Sequence, residues 1–296
     1  MLNNLLPDDI KAYEVCLHPP ADFDARFSCR SRHYKYFFVA NSSQTYSPDG
    51  VRARTLDVAA MQDAAARLVG THDFRNYCKL DGSKQLVNFE RTILDAAITP
   101  VNDVAGVDGA DTVYVFDLKG YGFLWHQVRC TMAILLLVGQ GYERPDLVDA
   151  LFDITANPCK PVYTMASEIP LVLWDCQFDD DVVWKSVYDS DAPTASLTAS
   201  ALKEHIYNVW YDGRIRTEMQ HALRSVFETA IAGADDPAGK RGRTAAGRIM
   251  DGSGLGRWTA NYVPVLDRKR MDPVDVVNAR WLQSHPGRAR PPPEDE

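Results

Sequence analysis

The sequence has no apolar run long enough to cross a membrane: its longest, Met132 to Val138, falls far short of the roughly 20 residues a spanning helix needs. The first ten residues include Asp8 and Asp9 and no basic start leading into an apolar stretch, so no signal peptide is expected. Cysteine is sparse. Cys16, Cys29, Cys78, Cys130, Cys159 and Cys176 form no Cys-x-x-Cys and no Cys and His pairing at zinc spacing, which leaves reduced, mostly buried thiols of a cytosolic or nuclear protein. There is no P-loop, no His-Glu-x-x-His and no Gly-x-Ser-x-Gly, so the usual phosphoryl-transfer and hydrolase readings lose their support. Gly252-Ser253-Gly254-Leu255-Gly256 has the wrong spacing for a dinucleotide loop, and no strand is expected before it. No internal repeat occurs.

Positive charge is also in deficit. A formal net charge of −8 gives no general attraction for a polyanion, so any nucleic-acid binding has to come from local clusters of cations. Two such clusters exist: Arg26, Arg30, Arg32, His33 and Lys35 in one, and Arg75, Lys79, Lys84 and Arg91 in the other. Acids gather instead at Asp179 to Asp181 and in the tail. Apolar and aromatic residues make up 46% of the 296 positions, enough to bury the core of one large domain or two ordinary ones.

The pattern of residues predicts an α+β architecture. A short strand is expected over 11–16 and a two-faced one over 33–40, with Tyr34, Tyr36 and Phe38 on one side and His33, Lys35 and Phe37 on the other. Thr55 can cap a helix over 56–69 that ends at Gly70. Strands follow over 91–98 and 112–118. The segment 123–138 is apolar nearly all round and reads as a buried helix with His126 and Arg129 on one face. A short helix over 145–152 and a strand over 171–178 complete an antiparallel sheet with helices packed on one face. Beyond 185, two amphipathic helices are expected over 196–211 and 214–231, then a Gly-rich basic loop over 233–256 and a Pro-rich, charged, disordered tail.

Four features carry chemistry. Phe23-Asp24-Ala25-Arg26-Phe27-Ser28 followed by Arg32-His33-Tyr34-Lys35-Tyr36 interleaves aromatic rings with cations. That is what stacking on an unpaired base while holding its phosphates requires, and also what a half-buried strand with solvated cations looks like. Arg129 in an apolar helix needs a carboxylate or phosphate beside it, unless it reaches the helix edge or backbone carbonyls. His126 fits a satisfied core or groove histidine as well as a ligand-facing one. The stretch His72-Asp73-Phe74-Arg75-Asn76-Tyr77-Cys78-Lys79 suits a polar recognition surface or a hydrogen-bonded turn.

Taken in order, Ala25-Arg26-Phe27-Ser28 with Arg32-His33-Tyr34-Lys35-Tyr36, then His72-Asp73-Phe74-Arg75-Asn76, then Phe123-Leu124-Trp125-His126-Gln127-Val128-Arg129-Cys130 resemble the tRNA pseudouridine synthase I family. Asn88-Phe89-Glu90-Arg91-Thr92-Ile93 and Leu171-Val172-Leu173-Trp174-Asp175-Cys176 are similar to its eukaryotic branch, which modifies positions 38 and 39 of the anticodon stem-loop. The resemblance implies the pseudouridine synthase fold and a reaction on uridine in tRNA. In that reaction an aspartate assists cleavage of the N-glycosidic bond, uracil rotates, and C5 rejoins the ribose; the base must first leave its stack. No metal or organic cofactor is implied, no membrane, and no obligatory oligomer; the compartment expected is nucleus, cytoplasm or both. By the same resemblance Tyr34 packs against the uracil, Arg129 pairs with the catalytic carboxylate, and Arg26 lies near the flipped nucleotide. Arg32, Lys35, Tyr36, His72, Arg75, Asn76, Lys79 and His126 are expected to face RNA.

One part of the family pattern is missing. The aspartate sits in a Gly-Arg-Thr-Asp-x-Gly-Val motif several dozen residues ahead of the tyrosine, and nothing before Tyr34 matches it. Gly242-Arg243-Thr244-Ala245-Ala246-Gly247 has alanine at the carboxylate position and lies at the wrong end. The expectation is a chain that begins inside the enzyme and is inactive by itself: 1–24 from a first catalytic half, 25–185 the second half, 186–283 a helical extension, and 284–296 the tail. Arg129 would then lack its carboxylate and a sheet edge its cover. The alternative is a non-catalytic RNA-binding module that kept the grip and lost the acid.

Overall fold

In a computed structural model, residues 2–7, 9–47, 50–101, 112–186, 195–232, 247–253, 257–259 and 261–287 are described. The chain divides into two compact units, Met1–Ser28 with Asp179–Gly242 and Cys29–Phe178 with Arg243–Glu296. This grouping cuts the expected 186–283 extension after 242.

The first unit contains helix α1 (Leu2–Leu5), strand β1 (Glu14–Val15), strand β9 (Lys185–Ser186) and helix α5 (Ala195–Ala232). β1 pairs antiparallel with β9. α5 is one helix of 38 residues where two were expected. Gly213 does not break it, because ion pairs Asp212–Arg216 and Arg214–Glu218 and the Thr217 hydroxyl on the Gly213 carbonyl bridge the position at i,i+4 spacing.

The second unit is built on strands β2 (Ser31–Val39), β5 (Gly70–Asp73), β6 (Glu90–Pro100), β7 (Val113–Gly120) and β8 (Leu171–Gln177), in the order β5-β6-β7-β2-β8. All neighbours are antiparallel. Strands β3 (Asn41–Ser47) and β4 (Gly50–Thr55) form a separate hairpin, and β10 (Gly247–Ile249) pairs with β11 (Arg257–Thr259). A strand therefore does precede Gly252, contrary to expectation, though it belongs to a small hairpin. Helices α2 (Val58–Ala66), α3 (Gln127–Gly139), α4 (Leu147–Phe152) and α6 (Val274–Ser284) complete the unit.

The expected alternation holds on β2: Tyr36 and Phe38 are buried and Tyr34 packs partly against the same core. Ile93, Ala96, Ile98, Phe116 and Leu118 bring the neighbouring strands to that core, where α2 and α3 supply the other layer. Helices thus cover one face of an antiparallel sheet, as the sequence predicts. Asp57, not Thr55, caps α2: its Oδ1 accepts from Ala60 N at 2.9 Å, because Leu56 is drawn into the core and the helix starts after it. The polar stretch after α2 contributes an edge strand, β5, before a single 3-10 turn at Arg75–Tyr77.

Candidate nucleic-acid site

The junction between β7 and α3 determines where the site residues fall. A Cβ at Gly120 would come within 2.9 Å of the Thr92 carbonyl and 3.1 Å of the Phe123 ring, so only glycine lets the chain leave the sheet this tightly. Phe123 then lands edge-on against Tyr34, with ring centroids 5.0 Å apart and planes at 82°. On β2, Tyr34 lies opposite Leu118 of β7 and, beside a bulge between His33 and Tyr34, opposite Leu173 of β8. Burial first, and then the neighbouring Cys176 and Cys29 thiols, push its hydroxyl above the ordinary phenol range, while Arg32 opposes. At physiological pH Tyr34 is a neutral, half-buried ring.

Next along the chain, His126 has a left-handed backbone (φ 59°) and stands at the N-cap of α3, not inside the helix as the i, i+3 reading had it. Gln127 explains the difference. Its Oε1 accepts from Leu124 N at 2.8 Å while Gln127 N donates to the Leu124 carbonyl at 3.0 Å, closing a turn before the helix can extend backward. Trp125, half exposed, lies 4.7 Å from the His126 ring, and Lys79 Nζ sits 4.6 Å over Trp125. Burial lowers the His126 pKa first, followed by the positive charges of Arg129, Lys79 and Lys160, with Glu168 opposing. Lys79 over the exposed Trp125 ring, with His126 beside it, makes a surface suited to phosphate and a stacked base.

Arg129 is the one residue of α3 that is not buried. Its Nε donates to the Ala166 carbonyl at 2.7 Å and its Nη2 meets Glu168 Oε2 at 2.7 Å. The half-buried arginine thus has a carboxylate and a carbonyl beside it within this chain, Glu168 and Ala166, as its burial requires. Tyr34 and Arg129 belong to the same unit. Tyr36, one pleat along from Tyr34, lies in the core that α3 covers.

The sequence model of the tRNA pseudouridine synthase family matches residues 64–179. The chain is 42% identical over 283 residues to the tRNA pseudouridine(38/39) synthase of Saccharomyces cerevisiae, covering 95% of this chain and 55% of the relative. It is 39% identical over 232 residues to the protein of the same name from Homo sapiens, covering 77% and 44%. The chain belongs to the tRNA pseudouridine synthase family. A tRNA pseudouridine synthase A of Methanothrix thermoacetophila is 33% identical over 182 residues, covering 61% of this chain and 56% of the relative. The chain spans about half the length of the curated relatives it matches.

Within this synthase scaffold several residues expected to face RNA serve the fold. Asn76 is fully buried and its Nδ2 clasps the carbonyls of Leu151 and Asn157, each at 2.8 Å. Arg75 is engaged by Asp73 through Nε and Nη2, the latter at 2.7 Å, and lies over Phe89. His72 stacks on Phe152 at 4.3 Å. Tyr36 is in the core with no exposed surface, since the even-numbered side of β2 faces α3. By contrast, Lys35 reaches outward, 3.6 Å from Asp117 and 4.3 Å over the exposed Trp174 ring, and Arg32 lies opposite Cys176. Arg26 belongs to the other unit, where its guanidinium lies 5.2 Å over Phe27 and its backbone N–H donates to Asp24. Sequence reasoning did not single out Glu168, Asp117, Trp174 or Lys160. Lys160 is buried, donating to the Cys78 carbonyl at 2.8 Å.

Proposed function

We propose that the protein isomerises uridine to pseudouridine in the tRNA anticodon stem-loop, at positions 38 and 39, with Tyr34 as the aromatic floor for the extruded uracil and Arg129 as the cation beside the reacting carboxylate. Support comes chiefly from the site itself: a half-buried tyrosine braced by Phe123, and an arginine aimed by Glu168 next to the Lys79–Trp125–His126 stack. Lys79, Trp125, His126, Lys35 and Arg32 form the RNA-facing set, while His72, Arg75 and Asn76 shape the scaffold behind it. An arginine with five N–H donors, only two of them used by Ala166 and Glu168, can serve a second anion without giving up the first.

A second reading is a tRNA-binding module without chemistry, for which the exposed Trp125 with Lys79 over it and His126 beside it would suffice. One experiment separates the two. The purified chain is incubated with an unmodified tRNA, and both retention and pseudouridine at the anticodon arm are measured over a salt series. Pseudouridine formation, by the chain alone or with the family's Gly-Arg-Thr-Asp-x-Gly-Val half supplied in trans, supports the enzyme; salt-dependent binding with no product in either case supports the module; the absence of both binding and product defeats both. Under the first reading Tyr34→Ala lowers turnover far more than tRNA affinity; equal loss of both would remove its assigned role.

A further inference from the structure

The direction of the Arg129 guanidinium is set by two acceptors, the Ala166 carbonyl and the Glu168 carboxylate, and both lie on residues 166–168. That segment lies outside helix and sheet. What holds it is partly α3 itself, since Ala166 N donates to the Arg129 carbonyl at 3.1 Å, and partly a turn far away in sequence: Ser167 N donates to the Asp251 carbonyl at 2.6 Å. The turn is braced internally. Asp251 Oδ1 accepts from Ser253 N at 2.9 Å and from Ser253 Oγ at 2.6 Å, and Met250 N donates to the buried Gln140 Oε1 at 2.8 Å, on the last residue of the α3 region.

Its seat is the Tyr36 ring. Gly252 has φ +81°, a conformation that side chains other than glycine seldom adopt. A Cβ there would fall on the Tyr36 hydroxyl and lie 3.0 Å from Cζ and 3.3 Å from Cε1. Tyr36 is fully buried, and its hydroxyl has no hydrogen-bond partner among the described residues. The backbone of Gly252 therefore rests directly on the end of the tyrosine, and the ring has no exposed side into which it can retreat.

We propose that the Asp251–Gly252–Ser253 turn is a positioning element for Arg129. Seated on Tyr36, it fixes Ser167 through the Asp251 carbonyl and thereby fixes the two acceptors that aim the guanidinium. Gly252 is the positioning residue on which the seat depends. The mechanism is mechanical, and only its consequence for catalysis rests on Arg129 being the cation of the proposed site.

The test reads the guanidinium directly. In the full chain labelled with 15N-arginine, the Arg129 Nε–H signal, identified by its loss in Arg129→Lys, is expected to be sharp and protected from water exchange. Gly252→Ala should speed that exchange about 10-fold or more, and adding Tyr36→Phe, which removes the hydroxyl the new methyl meets, should restore most of the protection. If pseudouridine forms, the same variant should lower kcat with KM little changed, by up to about 100-fold if the arginine shifts by an ångström. Should Gly252→Ala fail to fold, Ser253→Ala, which removes one clamp on Asp251, carries the test with the same signal. A folded Gly252→Ala or Ser253→Ala chain whose Arg129 Nε–H exchanges as in the parent overturns the proposal. A parent that makes no pseudouridine even with the family's aspartate-bearing half supplied defeats the enzyme reading instead and leaves the exchange measurement standing.

Discussion

Helices α3 and α5 show two ways for a helix to exist in one chain. α3 has 13 residues and buries all of them except Arg129. α5 has 38, yet Ile206, Trp210, Met219, Leu223 and Phe227 are each more than half exposed. The first is apolar all round and is held by tertiary packing against the sheet. The second carries its own ion pairs at i,i+4 and depends far more on local terms, each worth a few tenths of a kcal/mol. A rigid, buried helix can aim one polar residue, and α3 presents Arg129 to Glu168.

The comparison is broken most directly by truncating one leucine in each helix. Leu136 of α3 has no exposed surface, so Leu136→Ala should cost about 2–5 kcal/mol of transfer and cavity energy. Leu223 of α5 is 56% exposed, and Leu223→Ala should stay within about 0.5 kcal/mol. Urea denaturation of both variants checks this. Equal losses would mean that α5 is packed as tightly as α3.

A pair of glycines sharpens the same contrast with opposite signs. A Cβ at Gly139, the last residue of α3, would meet Met61 Sδ and lie 2.8 Å from Met61 Cγ, inside the core. Overpacking of that kind costs about 1–3 kcal/mol, so Gly139→Ala should lower stability despite its gain in helix propensity. Gly213 of α5 has nothing within 4 Å of its Cβ position. Gly213→Ala should therefore raise helicity and stabilise by up to about 1 kcal/mol. Thermal melts followed by far-UV circular dichroism give both signs; two of the same sign would refute the contrast.

What the sequence disclosed follows the same division. Periods of two and apolar runs identified β2, β6, β7, β8 and α3 because burial determines both the composition and the structure there. Where burial does not decide, local cues mislead: Thr55 is as good a cap as Asp57 until Leu56 goes into the core, and the two helices expected over 196–211 and 214–231 are one. At the site, Tyr34 and Arg129 were visible as residues out of keeping with their surroundings. Glu168 was not, because a single acid before Ile169-Pro170 carries no periodicity, and its role exists only through a contact 39 positions away in sequence. The polar stretch 72–76 misled in the other direction, since Asn76 and Arg75 satisfy internal carbonyl and carboxylate groups that no sequence pattern reveals.

The smallest predicted effect concerns the polar end of α3. Burial, then Arg129, Lys79 and Lys160, hold the His126 pKa below its ordinary value of about 6.5. An unfolded chain therefore takes up this proton at a higher pH than the folded one, and below about pH 6.5 the unfolded state binds more protons at this site. Stability from His126 is complete above that range and declines as pH falls toward the depressed folded value. In denaturation midpoints at pH 7.5 and 5.5, His126→Gln should lose less on acidification than the parent does. An anion seated between Lys79 and Arg129 changes the sign, because it offsets the cations and favours the imidazolium. Binding of tRNA should then be accompanied by proton uptake and tighten between pH 7.5 and 6, in the parent but not in His126→Gln. A binding constant with the same pH dependence in both would place the phosphate elsewhere on the surface.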